Sequence, residues 1–361
     1  AEALFQKTLQ EAKSAGDKSV AHLNLGCTYA LLADYVTTLV PPQGDESQFS
    51  EIAAAATKQA TAFLSQAAKS EDVQLRGIVL QIEADLAFRQ KDWKTSSAKA
   101  NAALTEFVAQ GSLSGVESTE RLLGLLAREQ KQPVVALQHF QISHHISELL
   151  RAQFPADRMG VSRAGFFARR GYVYEQLVEL LVEKGDFQKA LQYAELAKAR
   201  SAQDLLSVNE TSSAANLATA GSVDSLLSRW PKEVAAVEYF LGDRGGFIFL
   251  IDPAGNVKAW PIRAAGEPLS SRDLIHQVRT FLNGIEGQST RMRQAILSGR
   301  GFDWTWQHDL HKFRSILLPD EIMTSLRFAK QVVIVPHHIL HYFPFAAMVT
   351  KLDETPPEKF R

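Results

Sequence analysis

The sequence predicts an α-helical repeat followed by a smaller, partial α/β region that contains a β-meander. Residues 1 to about 200 carry apolar side chains at helical spacing almost throughout. Beyond residue 230 the pattern changes to short apolar strands separated by turns that contain Gly or Pro. A chain of 361 residues is long enough for two regions of this kind.

The first region contains amphipathic helices. In residues 71–90 and again in 161–184, apolar side chains return every three or four positions, and Lys184 and Gly185 end the second stretch. Each stretch is therefore predicted to bury one face against a neighbouring helix.

Short turns between the predicted helices share one pattern, in which a polar, Gly or Pro turn is followed by a bulky residue and then a small one. Small residues let two helices approach closely, and bulky residues fill the groove between them. The turns therefore predict stacked helical hairpins, with an ordinary helical bundle as the alternative. The segments are Lys91-Asp92-Trp93 with Ser96, Gln132-Pro133-Val134 with Ala136, and Gly185-Asp186-Phe187 with Ala190.

The segment EKGDFQKALQY at 183–193 resembles the tetratricopeptide repeat (TPR). This resemblance implies a TPR-like α-solenoid over residues 1–205. The spacing between the turns is irregular, so the prediction is a solenoid without a repeat count. Because solenoids present extended concave surfaces, we expect a protein or peptide partner in the groove of the helical repeat.

Small polar residues dominate 207–213, and residues 206–230 are therefore predicted to form a linker with a connecting helix. Helices are predicted beyond it at about 270–286 and 305–318. The apolar, β-branched run QVVIVP at 331–336 is typical of a strand buried in a parallel sheet. The predicted strands of the meander cover 234–241, 247–251 and 257–262.

The second region resembles a CHAT domain. The resemblance rests on the strand around Tyr239 and on the string VVIVPHHILHYFPFAAM at 332–348. With the helical repeats before it, the chain is similar to TPR–CHAT proteins, in which such repeats precede a caspase-like domain of clan CD. Residues 231–361 would then be the N-terminal part of a CHAT domain. The motif residues, all expected to be structural, are Tyr239, Pro336, Leu340, His341, Pro344 and Phe345.

The resemblance implies a cysteine endopeptidase with a His general base and a Cys nucleophile on later strands. The sequence departs from this chemistry because its single cysteine, Cys27, lies in the helical region, where we expect a small buried thiol. We therefore expect no peptide cleavage by this chain, no catalytic residue within it and no cofactor. One interpretation is a piece that stops before the catalytic His and Cys, and the other is a protein that keeps only the scaffold. The strand 332–335 would have an unpaired apolar edge, which favours the first.

The composition gives little support to a function in nucleic-acid binding or at a membrane. The net charge of -1 gives no overall attraction to nucleic acid, and the lone cysteine fits the cytoplasm. No apolar run approaches the roughly 18 residues of a membrane span, so no membrane partner is expected. Together with these exclusions, the resemblance implies a cytoplasmic scaffold of a CHAT-type peptidase, with a stand-alone, non-enzymatic TPR adaptor as the alternative.

Two side-chain clusters suggest a metal ion or a polyanion. Histidines occur in pairs or triplets, but no third ligand follows at a diagnostic spacing, so no metal site is predicted. The basic and aromatic residues between 291 and 314 are interpreted as a solvated helix face, so no nucleic acid is expected. The residues are His144, His145, His308, His311, His337, His338 and His341, and Arg291, Arg293, Arg300, Trp304, Trp306, Lys312 and Arg314.

Overall fold

The computed structural model of the protein describes residues 2–38, 46–153, 171–206, 223–242, 244–298 and 305–351. The chain divides into two compact units, Ala1–Pro155 and Ala156–Arg361. Helices build the described part of the first unit, and the second combines helices with a small mixed sheet. The prediction of a helical region followed by an α/β part is therefore confirmed.

The first unit is an array of helical hairpins. Its helices are α1 (Glu2–Glu11), α2 (Ala15–Thr38), α3 (Glu46–Ala67), α4 (Val73–Arg89), α5 (Trp93–Gln110), α6 (Leu113–Glu129) and α7 (Pro133–Gln153). The most extensive contacts join α2 to α3, α4 to α5 and α6 to α7. Helix α4 also contacts both α2 and α6, so these alternate helices lie side by side along the array.

The predicted turns share one backbone geometry. Lys91, Lys131 and Gly185 follow the ends of their helices with φ of 60°, 57° and 80°. In each turn the next residue donates its N–H group to a carbonyl five positions earlier, which closes a Schellman motif. The bonds run from Asp92 to Ala87 (2.9 Å), Gln132 to Ala127 (2.8 Å) and Asp186 to Leu181 (2.9 Å).

The small residues after these turns lie at close helix contacts, as predicted. Ser96, Ala136 and Ala190 are fully buried. The expectation that a bulky residue fills each groove is wrong at Val134, which is 65% exposed. Because Pro133 begins α7, Val134 lies in the first turn of that helix, on its outer side.

The second unit begins with α8 (Gly171–Lys184), α9 (Phe187–Leu206) and the short α10 (Val223–Leu227). Its strands are β1 (Val234–Leu241), β2 (Gly246–Ile251), β3 (Val257–Pro261), β4 (Arg263–Ala264), β5 (Glu267–Pro268) and β6 (Gln331–Val335). Helices α11 (Ser271–Ser298), α12 (Thr305–Leu317) and α13 (Asp320–Leu326) separate β5 from β6. Short 3-10 turns follow at His338–Tyr342 and Phe345–Ala347.

The main sheet of the second unit has the strand order β3-β2-β1-β6. Strands β1, β2 and β3 pair antiparallel, so the predicted meander is confirmed. Strand β6 pairs parallel to β1, with Val333 opposite Ala236. The prediction of a buried strand at 331–336 is wrong: Val332 and Val333 are 41% and 38% exposed because β6 is an edge strand.

Helices α8 and α9 belong to the second compact unit, although the predicted repeat region extends to residue 205. Helix α9 packs against β3, and side chains of both helices bind to the sheet. Most of the predicted linker, at 207–222, lies outside the described residues.

Candidate functional site

Three motif residues of the second region, Tyr239, Leu340 and Phe345, pack into or against its core. Tyr239 on β1 is fully buried, and its hydroxyl donates to the Leu317 carbonyl at 2.7 Å. Its ring centroid lies 5.4 Å from that of Phe345, and burial raises the pKa of its phenol. Leu340 is also fully buried, and Pro336 and Pro344 are half-buried on the loops that follow β6.

His341 is exposed on the 3-10 turn, and it is His337 that contacts the sheet. The Leu241 N–H group donates to His337 Nδ1 at 2.9 Å, so the neutral ring carries its proton on Nε2. The imidazole stacks on Phe240 with 5.8 Å between centroids. Burial, followed by the charge of Lys198, lowers the pKa of His337 to about 4. His337 is therefore neutral near pH 7.

A buried ionic cluster, formed by Glu195, Lys198 and Glu238, joins α9 to β1. Lys198 Nζ donates to Glu238 Oε1 at 2.6 Å and to Glu195 Oε1 at 3.1 Å. The side chains of Glu238 and Lys198 are only 8% and 16% exposed, whereas that of Glu195 is 47% exposed. Glu195 and Lys198 are one helical turn apart, so both reach the same residue of the strand.

The two carboxyl groups of this cluster share a proton. Burial, together with the hydrogen bond to Glu195, raises the pKa of Glu238 to about 8. Burial opposes ionisation of Glu195 as well, but the hydrogen bond with Glu238 and the charge of Lys198 outweigh it and lower its pKa. Because Glu238 is the more buried acid, it holds the proton and donates to ionised Glu195.

A second buried carboxylate fixes α8 to the hairpin between β1 and β2. Glu175 is 4% exposed and accepts the N–H groups of Arg244 at 2.7 Å and Gly245 at 3.3 Å. The Arg244 guanidinium also lies 5.3 Å from the centre of the Tyr172 ring. Both helices of this pair are therefore held to the sheet by charged side chains.

The ionic cluster binds α9 to β1, and its three side chains include no thiol or hydroxyl group that could attack a peptide carbonyl. Cys27 is half-buried on α2 of the first unit, against the apolar cluster that contains Leu64. Burial raises the pKa of its thiol, so little thiolate is present near pH 7. The cluster can nevertheless hold or release a proton at its two carboxyl groups.

The first unit has an uncharged cavity of about 390 Å³ where α4 and α6 lie side by side. Gln81 Nε2 donates to Ser118 Oγ at 2.8 Å, and Gln110 Nε2 donates to the Val73 carbonyl at 2.7 Å. Ile78 is 37% exposed there. The residues that line this cavity, called here the α4–α6 groove, are Gln74, Ile78, Gln81, Phe107, Gln110, Ser112, Ser114, Gly115 and Ser118.

Where the structure describes the other histidine and basic residues of the sequence clusters, they take part in local contacts. Among the described residues, no group of three or more His, Cys, Asp or Glu side chains is arranged to hold a metal ion. His311 Nδ1 lies 3.1 Å from the Val349 carbonyl, and Arg314 donates to Asp320 at 2.6 Å. Arg300 and Trp304 lie outside the described residues, as do the side chains of Arg291, Arg293 and Trp306.

The sequence-based reasoning missed the ionic cluster. The sequence feature that indicates this cluster is Glu238, a charged residue in the otherwise apolar strand VAAVEYFL. A carboxyl group in a buried strand requires a partner, and two candidates, Glu195 and Lys198, lie on the preceding helix.

Across the described ranges, no helix combines the length and the apolar character needed to cross a membrane. No family model, curated protein or solved structure matches this chain.

Proposed function

We propose that this chain is a cytoplasmic, protein-binding regulatory scaffold of a CHAT-type, caspase-like cysteine peptidase. The observation that carries the proposal is the array of helical hairpins with one shared turn geometry. Stacked hairpins of this kind present long surfaces on which a peptide or a helix can bind.

The α4–α6 groove is the part of this surface best suited to a peptide. Its polar lining consists of amide and hydroxyl side chains, which both donate and accept hydrogen bonds as a peptide backbone does. Ile78 and Phe107 supply apolar contact beside them. The partner is therefore a segment of low charge, held by hydrogen bonds and one apolar side chain.

Two features of the second unit support the CHAT assignment. Tyr239 is distant in sequence from Leu340 and Phe345, but all three contribute to one core, as expected for structural motif residues. Strand β6 pairs parallel to β1 and exposes Val332 and Val333. Apolar edges of this kind are normally covered, and a further strand of a caspase-like sheet would cover this one.

The contacts of α8 and α9 with the sheet supply a route for regulation. These helices contain the turn that resembles a tetratricopeptide repeat, and they bind the sheet through Glu175 and Lys198. A partner that shifts this helix pair would also shift β1, the strand at the centre of the motif core.

The alternative function is that of a stand-alone, non-enzymatic TPR adaptor. The single cysteine favours it, because Cys27 is a poor nucleophile on a helix of the first unit. In that case, the groove binds the partner and the α/β part has only a structural role.

Sequencing the coding DNA beyond the codon for Arg361 separates the two functions. A His and then a Cys, each after an apolar strand, would support the peptidase scaffold. An in-frame stop directly after Arg361 would contradict it and leave the adaptor.

The groove is tested by selecting binders from a displayed library of random peptides and measuring their affinity by calorimetry. Changing Ile78→Asp places a charge in the groove and should weaken the selected peptides at least ~10-fold, or about 1.4 kcal/mol. The matched control Val134→Asp changes an exposed valine outside the groove and should leave the affinity unchanged. Equal affinities in both variants would show that peptides bind elsewhere.

A further inference from the structure

The second unit contains a cavity of about 330 Å³ between α11 and α12 that the proposed function does not use. This volume lies at the lower end of the range of about 300–1,000 Å³ that is typical of small-molecule sites. The residues that line it, called here the α11–α12 cavity, are His276, Gln277, Thr280, Phe281, Gly284, Ile285, Asp309, Lys312 and Phe313.

The floor of this cavity is apolar, and the space next to Gly284 is empty. Phe281 and Phe313 are 7% and 3% exposed, and their ring centroids are 5.3 Å apart. Gly284 lies in the middle of α11, where a side chain would normally project. A Cβ atom built at this position meets no other atom within 4 Å, so the missing side chain leaves room for a ligand.

One acidic and one basic side chain line the cavity, and they do not form an ion pair with each other. Asp309 and Lys312 lie one turn apart on α12, and within the described part of the chain neither side chain forms an ion pair. Arg314, two positions further on, is paired with Asp320 at 2.6 Å. The amide oxygen of Gln277 is buried and has no hydrogen-bond donor. A ligand complementary to this lining carries a positively charged group, a negatively charged group and a hydrogen-bond donor.

We propose that the α11–α12 cavity binds a free α-amino acid with a large apolar side chain. Lys312 binds its carboxylate, Asp309 binds its ammonium group, and the N–H donors of that group also reach the amide oxygen of Gln277. Its side chain packs against Phe281 and Phe313. The proposal is independent of the peptide-binding function, which rests on the first unit.

The charges on the cavity wall determine which ligands are excluded. A ligand without the ammonium group leaves Asp309 unpaired beside an apolar group, and an amine without the carboxylate does the same to Lys312. Each analogue lacks one charge-assisted contact with the cavity wall, where Asp309 and Lys312 are exposed at the rim. Both analogues should therefore bind more weakly than the amino acid.

Isothermal titration calorimetry of the whole chain with L-phenylalanine tests the proposal. L-phenylalanine should bind at least ~10-fold more tightly than 3-phenylpropanoate, phenethylamine or L-alanine. Absence of binding at millimolar concentrations, or equal affinity for phenylalanine and either aromatic analogue, would overturn the proposal.

Variants then locate the site. Changing Gly284→Leu fills the cavity and should abolish binding, and the open space around this position together with the higher helix propensity of leucine keeps the fold intact. Lys312→Gln and Asp309→Asn should each weaken binding at least ~10-fold. The matched control Lys232→Gln removes an exposed lysine from outside the cavity and should leave the affinity unchanged. Tight binding retained by Gly284→Leu would place the ligand elsewhere and refute the assignment.

Discussion

The helical array and the second unit bury polar groups in different ways. In the array, each buried acid meets a side chain of the neighbouring helix: Glu120 contacts His139 at 2.6 Å, and Glu117 accepts from Ser143 at 3.1 Å. In the second unit, Glu238 meets two charged residues from α9, about forty positions earlier in the chain. The array therefore distributes its stability over local contacts, whereas the second unit concentrates its stability in contacts between distant segments.

The largest effect is expected from removing a core aromatic ring in each unit. Phe343→Ala removes a ring that contacts Phe281, Phe313 and Phe345, and Phe140→Ala removes one that packs against Gly124. Each change should cost about 3–5 kcal/mol. Hydrogen exchange should then accelerate throughout the second unit in the first variant, but mainly in α6 and α7 in the second.

If fast exchange spread through the whole of the affected unit in both variants, the proposed difference between the two units would be wrong. Wild-type protein under the same conditions is the control, because termini exchange rapidly in any chain.

The next largest effect is a change with pH in the stability of the second unit, which originates in the ionic cluster. The pKa of Glu238 rises to about 8 in the folded chain from a usual value of 4.5. Its stabilising contribution is therefore full below about pH 4.5 and is lost as the pH rises toward about 8, where the folded state also loses the proton. Unfolding by urea at a series of pH values should show the stability of the second unit falling across this range.

Glu238→Gln should remove this fall, because an amide can still donate to Glu195 and accept from Lys198 without titrating. Changing Glu195→Gln, the matched control, removes the competing carboxylate and should only reduce the fall. The cluster would not be the cause if the Glu238→Gln variant kept the pH dependence of the wild type.

A smaller effect is expected from Tyr239→Phe. This change removes the hydroxyl that donates to the Leu317 carbonyl and leaves a buried acceptor without a partner. The free energy of unfolding should fall by about 1–3 kcal/mol in a denaturant titration. Tyr342→Phe, at a residue that is 74% exposed, should have no effect. Equal losses in the two variants would argue against the importance of the buried bond.

The smallest effect is expected at the shared turns. Lys91→Gly relieves a residue with φ of 60° and should stabilise the array by about 0.5–1 kcal/mol. The reverse change, Gly185→Lys, should destabilise the second unit by a similar amount, because its φ is 80°. Thermal unfolding measures both shifts, and shifts of the same sign would contradict the common turn geometry.

The helical array could be predicted from the sequence because its determinants are local. The turns after Gln90 and Gln130 and at Gly185 follow from short segments, and so does the burial of Ser96 and Ala136. The bulk of Val134 suggests a buried position, but Pro133 places this residue in the first turn of α7, where it is exposed.

The second unit was less predictable because its site depends on how distant segments pair. The apolar run at 331–335 indicates a strand, and its expected unpaired edge is found in the structure, but the run does not show that Val332 and Val333 are exposed rather than buried. Likewise, no local pattern shows that His337 rather than His341 accepts the Leu241 N–H group. The α11–α12 cavity also requires the packing of two helices, although Gly284 in a helical segment is a local indication of space.

The position of Glu238 on the strand determines which element moves when the proton shared with Glu195 is lost at high pH. Strand β1 is hydrogen-bonded to β2 on one side and to β6 on the other, so its backbone cannot retreat from a second negative charge. Helix α9 has no such restraint at Glu195, where the side chain is half exposed. Alkaline conditions should therefore displace the Glu195 side chain and loosen this part of the helix while the sheet keeps its shape, and Lys198 would still bridge the two acids.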